Sequence, residues 1–190
     1  MNKTRIAAID IGTNSIRSII AEVDSLGKVM VLDDEKVTVR LGENLSKSGS
    51  ISPAAFSRAV DAMARIRKLI DGLKVSEIEA VATSAVRNAA NGSELVEVLS
   101  GILSREIKII SGEEEAELVA ISARHNFDMS GKRYAMVDIG GGSVEIITAL
   151  GSHVEKVYSL ELGAVVMTER YLSSDPIKLT DLGKFQRHVR

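Results

Sequence analysis

Hydrophobic and polar positions alternate in short strings at two widely separated places in this chain, and the two strings match. Residues 8–20 read AIDIGTNSIRSII, and residues 136–148, shifted by 128, read MVDIGGGSVEIIT. Asp10 falls on Asp138, Gly12 on Gly140 and Ser15 on Ser143. Each copy follows an apolar run, Ile6 to Ile9 or Ala135 to Val137, and leads into a second one, so both predict strand, Gly-bearing turn, strand. Ser25-Leu26-Gly27 and Leu150-Gly151-Ser152 then each supply a turn before a third strand, around Val29–Arg40 and His153–Leu160. Two β-meanders of common ancestry are the simplest account.

After the first meander the period changes. Ser52 and Pro53 give an N-cap and first-turn signal, and Phe56, Val60, Met63, Ile66 and Ile70 follow at helical spacing up to Gly72. Ile78 to Ala82 predicts a buried strand, Ser93 to Leu103 a helix, Ile107 to Ile110 a strand and Ser111 onward another helix. Residues 1–126 thus form an α/β unit of order βββαβαβα. Residues 127–190 begin a second unit of the same kind, with its meander and one helix from about Ala164 to Leu172. That unit is expected to be incomplete, because three strands and a helix leave a sheet face uncovered. Residues from about 132 onward are expected to depend on docking or on self-association, and the exposed strands would invite pairing with a second copy in a homodimer.

The composition is that of a folded globular chain, with 190 residues, 45% hydrophobic and 26% charged. A net charge of -2 offers no electrostatic case for nucleic acid or an anionic membrane as partner. A polyanionic substrate must then be held by a few placed groups. The chain has no cysteine, which removes disulfides and thiolate metal sites and disfavours zinc. The apolar run at Ile6 to Ile9 is too short for a signal-peptide core or a spanning helix, so a cytoplasmic protein is expected.

Four segments carry candidate chemistry. In residues 10–15, Asp-Ile-Gly-Thr-Asn-Ser, Gly12 permits a tight turn while Thr13, Asn14 and Ser15 offer donors for phosphate. A plain hairpin turn uses the same residue types, but a duplicated pair of such loops can grip a phosphate chain from both sides. In Asp-Ile-Gly-Gly-Gly-Ser, Gly140, Gly141 and Gly142 before Ser143 weaken a strand end unless something approaches the backbone closely. Glu145 projects from the same strand face as Ser143, and with Asp138 it could bind magnesium or another divalent cation, which bridges carboxylates to phosphate oxygens. A solvated glutamate on an edge strand would read the same way. In Ser-Gly-Glu-Glu-Glu-Ala, Ser111 and Glu114 match a capping box, whereas Glu115 is rotated about 100° from Glu114 and can point elsewhere, as a general base would need. Arg87, beyond the buried strand ending at Ala82, could fork onto phosphate with Thr83 and Ser84 nearby, or be an exposed helix-start arginine.

DIGTNS, the TSAVRNA stretch at 83–89, SGEEEA and DIGGGSVE occur in the order seen in the exopolyphosphatase and guanosine pentaphosphate phosphohydrolase (Ppx/GppA) family. The chain resembles that family over roughly Arg5 to Leu172. The resemblance implies two ribonuclease-H-like domains of the actin, hexokinase and heat-shock ATPase superfamily, the second incomplete here, with phosphates gripped by the two Gly loops. It implies Glu115 as catalytic base, Arg87 as a phosphate-facing arginine, and Asp138, Gly140 and Glu145 as part of the metal and phosphate site; Asp10, the counterpart of Asp138, is carried as a further metal ligand. The expected activity is magnesium-dependent release of terminal phosphate from polyphosphate or from a guanosine penta- or tetraphosphate, the latter a stringent-response substrate. Two rivals stand beside it: an ATP-binding kinase or ATPase of the same superfamily, and a non-catalytic sensor of alarmone or polyphosphate.

Overall fold

The computed structural model describes residues 3–172 and 174–190, and the chain divides into two compact units, Met1–Ile109 and Ile110–Arg190. In the first unit β1 (Thr4–Ile11), β2 (Ser15–Val23) and β3 (Val29–Thr38) form an antiparallel meander. A short helix α1 (Leu45–Ser48) precedes α2 (Pro53–Gly72), whose N-cap Ser52 accepts a hydrogen bond from the Ala55 amide at 3.2 Å, with Pro53 opening the first turn. That entry signal and Gly72 bound the helix where the sequence predicts it.

The crossover returns the chain as β4 (Glu77–Ala82), parallel to β1, and α3 (Ser84–Asn88), α4 (Gly92–Leu103) and β5 (Lys108–Ile109) follow, giving the strand order β3-β2-β1-β4-β5. Alternation decides which side is dry. Ala7, Ile9 and Ile11 of β1 and Ile16 and Ile20 of β2 point to one face, where Met63, Ile66 and Ile70 of α2 and Leu95, Leu99 and Leu103 of α4 complete the core. The expected strand at 107–110 shrinks to two residues, with Ile107 and Ile110 buried outside the ladder.

The second unit opens with α5 (Gly112–Asn126), followed by the meander β6 (Arg133–Ile139), β7 (Val144–Leu150) and β8 (His153–Leu160), then α6 (Ala164–Tyr171) and α7 (Leu179–Val189). The sequence reading places α5 with residues 1–126. In the structure Ala116 and Ala120, one turn apart, pack on Ile147 of β7, with Val119, Met136, Val154 and Val157 around them. Small residues at that spacing let a helix lie close against any sheet, so the pattern by itself names no partner. The opposite face of this sheet carries Val137, Ile139 and Tyr158, all exposed.

A single helix after the meander is also a correction: α7 follows α6, and Tyr171 sets its ring 6.5 Å from Phe185 and 5.1 Å from His188. None of its residues is buried, although Leu179, Leu182, Phe185 and Val189 recur at helical spacing, a stripe that the sequence reading passed over. Among the described residues no helix is long and apolar enough to cross a membrane.

Candidate functional site

Both Gly loops adopt one geometry. The Gly12 amide donates to the Ser15 carbonyl at 3.0 Å, and the Gly140 amide to the Ser143 carbonyl at 3.0 Å. A Cβ on either glycine would sit 3.2 Å from that same carbonyl oxygen, a tight contact that favours glycine at the turn.

The carbonyls inside each loop are held from behind by the chain that leaves the third strand. In the first unit the Gly42 amide donates to Thr13 at 2.9 Å, and the Val39 and Arg40 amides donate to Asn14 at 3.0 and 2.9 Å. In the second, the Gly163, Ala164 and Val165 amides donate to the Gly142, Gly140 and Gly141 carbonyls at 3.2, 2.9 and 2.9 Å. A trans peptide sets its N–H opposite its C=O. With the carbonyls of 140, 141 and 142 turned toward α6, the amides of Gly141, Gly142 and Ser143 face the other way. Asn14 and Ser15 present theirs likewise in the first loop. Successive amides aimed to one side are a geometry that can receive an anion.

The glycine triplet thus has a neighbour that approaches closely, the first turn of α6. Sequence reasoning passed over the signal for it, the recurrence of Leu-Gly after each third strand at Leu41-Gly42 and Leu162-Gly163.

Arg87 belongs to the first unit. The Thr83 amide donates to the Ile11 carbonyl at 3.1 Å, so the segment that becomes α3 leaves β4 directly beside the first loop, at the carboxyl end of a parallel pair where open α/β sheets gather ligand groups. Thr13, Thr83 and Ser84 are buried there, and Arg87 is half-buried. Two residues absent from the sequence reading shape this corner. The Asn91 side chain exchanges two hydrogen bonds with the backbone of Ile51, at 2.8 and 3.0 Å, and a Cβ on Gly92 would meet the Val86 carbonyl oxygen at 2.0 Å.

The two copies differ at the position two beyond the loop serine. Arg17, cross-strand partner of Asp10, forms a bidentate ion pair with Asp34 of β3 at 2.9 and 2.7 Å. That hydrogen bond and its charge hold the Arg17 pKa up and the Asp34 carboxyl below the usual range. Glu145, cross-strand partner of Asp138, is 1% exposed and accepts a hydrogen bond from the Ser159 hydroxyl of β8 at 2.9 Å. In each copy the third strand supplies the partner, but one arrangement pairs an arginine with a carboxylate and the other holds a buried carboxylate by a hydroxyl.

Asp138, Glu145 and Ser159 share the sheet face that α5 covers, since Met136, Ile147 and Val157, each two residues away on its strand, pack in the cluster around Ala116. At the start of α5 the capping box is complete: the Ser111 hydroxyl accepts from the Glu114 amide at 3.1 Å, and the Glu114 carboxylate accepts from the Ser111 amide at 2.7 Å. The bond from Ser111 depresses the Glu114 pKa. Glu114 is therefore occupied at the helix end, while half-buried Glu115 stands on the flank that continues to Val119 at the edge of the core.

Among the described residues no three Asp, Glu or His side chains converge as a ready-made cation cage. Magnesium does not need one. It keeps several waters and takes one or two carboxylates plus phosphate oxygens, a demand that the neighbouring Asp138 and Glu145 can meet. Asp10 lies in the other unit, and its role stays with the sequence expectation.

Comparison with known proteins finds relatives over the whole chain. The Ppx/GppA phosphatase family model matches residues 19–190. Exopolyphosphatase 2 of Mycobacterium tuberculosis is 36% identical over 199 aligned positions, covering 100% of this chain and 62% of the relative. The crystal structure of an exopolyphosphatase-like protein superposes with a TM-score of 0.90 at 32% identity, covering 100% of this chain and 60% of that one. The chain therefore spans about 62% of the length of the curated relatives it matches. MreB5 of Spiroplasma citri, at 16% identity, a TM-score of 0.50 and 88% coverage of this chain against 55% of its own, shares the fold alone. The architecture is the ribonuclease-H-like fold.

Proposed function

The chain belongs to the Ppx/GppA phosphatase family, and from that premise we propose that it carries the phosphate-binding and catalytic portion of a hydrolase that releases terminal phosphate from inorganic polyphosphate, or from guanosine pentaphosphate. The observation that carries the reading is the pair of Gly loops, identical in their closing hydrogen bond and both with carbonyls turned back and amides turned out. The amides of each loop, with the Thr13 hydroxyl and Arg87 in the first unit and the Ser143 hydroxyl in the second, offer donors to phosphate while the chain as a whole stays near neutral charge.

In this reading Glu115 takes a proton from water as the water oxygen bonds to the terminal phosphorus. The anhydride P–O bond breaks, and its electron pair leaves on the shortened phosphate chain. Glu114 does not compete for the role because its carboxylate is committed to the Ser111 amide. A divalent cation at Asp138 and Glu145 would supply charge neutralisation at the phosphate oxygens. Arg17, at the position equivalent to Glu145, is paired with Asp34 and offers no carboxylate there, which favours the second loop as the place for a cation.

The test is phosphate release from polyphosphate and from guanosine pentaphosphate, with and without magnesium, by this chain alone and within a protein of its relatives' length. Glu115→Gln should lower turnover by about 10²–10⁴-fold, the usual worth of a general base, and leave substrate binding largely intact. Near-normal turnover in Glu115→Gln would move the base elsewhere, and release from neither substrate by the longer protein would sink the reading.

A further inference from the structure

We propose that the first turn of α6 is the positioning element of the second anion loop, that Gly163 and Ala164 are its key residues, and that occupancy of the loop by a polyphosphate and docking of α6 stabilise one another. The proposal rests on the phosphate-binding reading above and adds to it a named device and a linkage.

The N-terminus of α6 needs partners. The first amides of any helix have no acceptor within it, and a side-chain cap at the preceding residue normally takes one of them. Gly163 stands at that position and has no side chain to offer. Instead the loop itself caps the helix. Gly163 donates to Gly142 at 3.2 Å, Ala164 to Gly140 at 2.9 Å, and Val165 and Val166 both to Gly141 at 2.9 and 3.3 Å. Four amides that would otherwise lack acceptors thus meet three carbonyls that would otherwise be free to rotate. Among the described residues no acceptor pairs with the Gly141 and Gly142 amides, which the same bonds have turned outward.

The approach is as close as backbone allows. A Cβ on Gly163 would lie 2.3 Å from the Gly142 carbonyl carbon, 2.4 Å from its nitrogen and 2.5 Å from the Gly141 carbonyl carbon. Gly163 has φ −63° and ψ 153°, an ordinary extended conformation, so proximity to the loop, and not backbone strain, is what demands glycine there. The first loop is held by the equivalent stretch after β3, but there Val39, Arg40 and Gly42 belong to no helix. Only in the second unit does the loop's shape depend on a helix being docked.

Linkage follows. If docked α6 holds the amides where an anion needs them, an anion on those amides favours docked α6 by the same factor.

Ala164→Pro separates the hydrogen bond from the helix. Ala164 is the first helical residue, where proline is well tolerated, and the extended conformation of Gly163 suits a residue before proline. The change removes one donor and puts a methylene against the Gly140 carbonyl. In ligand-free chain, the Gly141 and Gly142 amide resonances should shift while β7 keeps its hydrogen-exchange protection. Affinity for tripolyphosphate should fall roughly 2- to 12-fold, the net worth of one hydrogen bond, and further for Gly163→Ala. In the wild-type chain tripolyphosphate should slow exchange of the 164–166 amides. Gly141 and Gly142 resonances and affinity unchanged in Ala164→Pro would overturn the proposal, and so would loop resonances that stay in place if the variant melts α6. A wild-type chain that does not bind tripolyphosphate refutes the functional reading instead, and the ligand-free resonances still decide this one.

Discussion

Replacing Ser159 by alanine tests whether the third strand of the second unit holds the site carboxylate. The Ser159 hydroxyl donates to Glu145 Oε1 at 2.9 Å, and Glu145 is 1% exposed. A hydrogen bond to a charged group contributes about 1.5–3 kcal/mol, and truncating its donor leaves a buried acceptor short of a partner. Ser159 itself is exposed, so water can enter where the hydroxyl was. The lower end of the range applies, about 1.5 kcal/mol, against a typical change within about 0.5 kcal/mol for an unremarkable surface substitution. Hydrogen exchange of the β7 amides reads the loss directly in the second unit, without requiring both units to unfold as one. A double-mutant cycle with Glu145→Gln isolates the pair, and the two changes should be clearly non-additive. A loss below about 0.5 kcal/mol, or additivity in the cycle, would refute the claim that Ser159 holds Glu145.

Asp138→Ala should raise the magnesium concentration needed for phosphate release more than Asp10→Ala does, since Glu145 stands beside Asp138 while the Arg17–Asp34 pair stands beside Asp10; magnesium titration of the two variants decides it, and an equal shift would remove the asymmetry. Gly92→Ala forces a Cβ to 2.0 Å from the Val86 carbonyl, so it should displace α3 and cost more than the roughly 1 kcal/mol that alanine ordinarily gains over glycine in a helix, measured as a net loss in urea unfolding. The Glu114 carboxyl titrates below its ordinary 4.5 because it accepts the Ser111 amide, so its stabilisation of the α5 terminus is fully present above that value and is lost as pH falls through the lower, folded-state one. Protection of the first-turn amides, corrected for intrinsic exchange, should hold from neutrality to about pH 5 and decline below it, and Glu114→Gln should abolish the decline.

Much of the local structure was legible in the sequence because its signals have their partners nearby. Ser52 and Pro53 open α2 through atoms within one helical turn, Ser111 and Glu114 close the capping box over three residues, and the loop bonds at Gly12 and Gly140 also span three. The duplication was equally plain, since a repeated turn flanked by alternating strands states its local shape twice. The candidate residues of both loops, Arg87 beside β4 and the carboxylates around β7 were named on the same grounds.

What the tertiary structure alone decided are the contacts between segments far apart in the chain. The sequence reading put α5 with the first unit, although an Ala116 and Ala120 stripe suits either sheet, and the packing on Ile147 assigns it to the second. That Arg17 is paired with a carboxylate and Glu145 held by a hydroxyl depends on Asp34 and Ser159, strand neighbours set by register and by a bulge in each meander. The outward amides of the second loop depend on α6, whose Gly163 reads in the sequence as one more turn glycine until the backbone of Gly141 and Gly142 is found against it. Periodicity records which side of an element is apolar; it carries no record of what fills that side, and the shape of this site is set by those fillings.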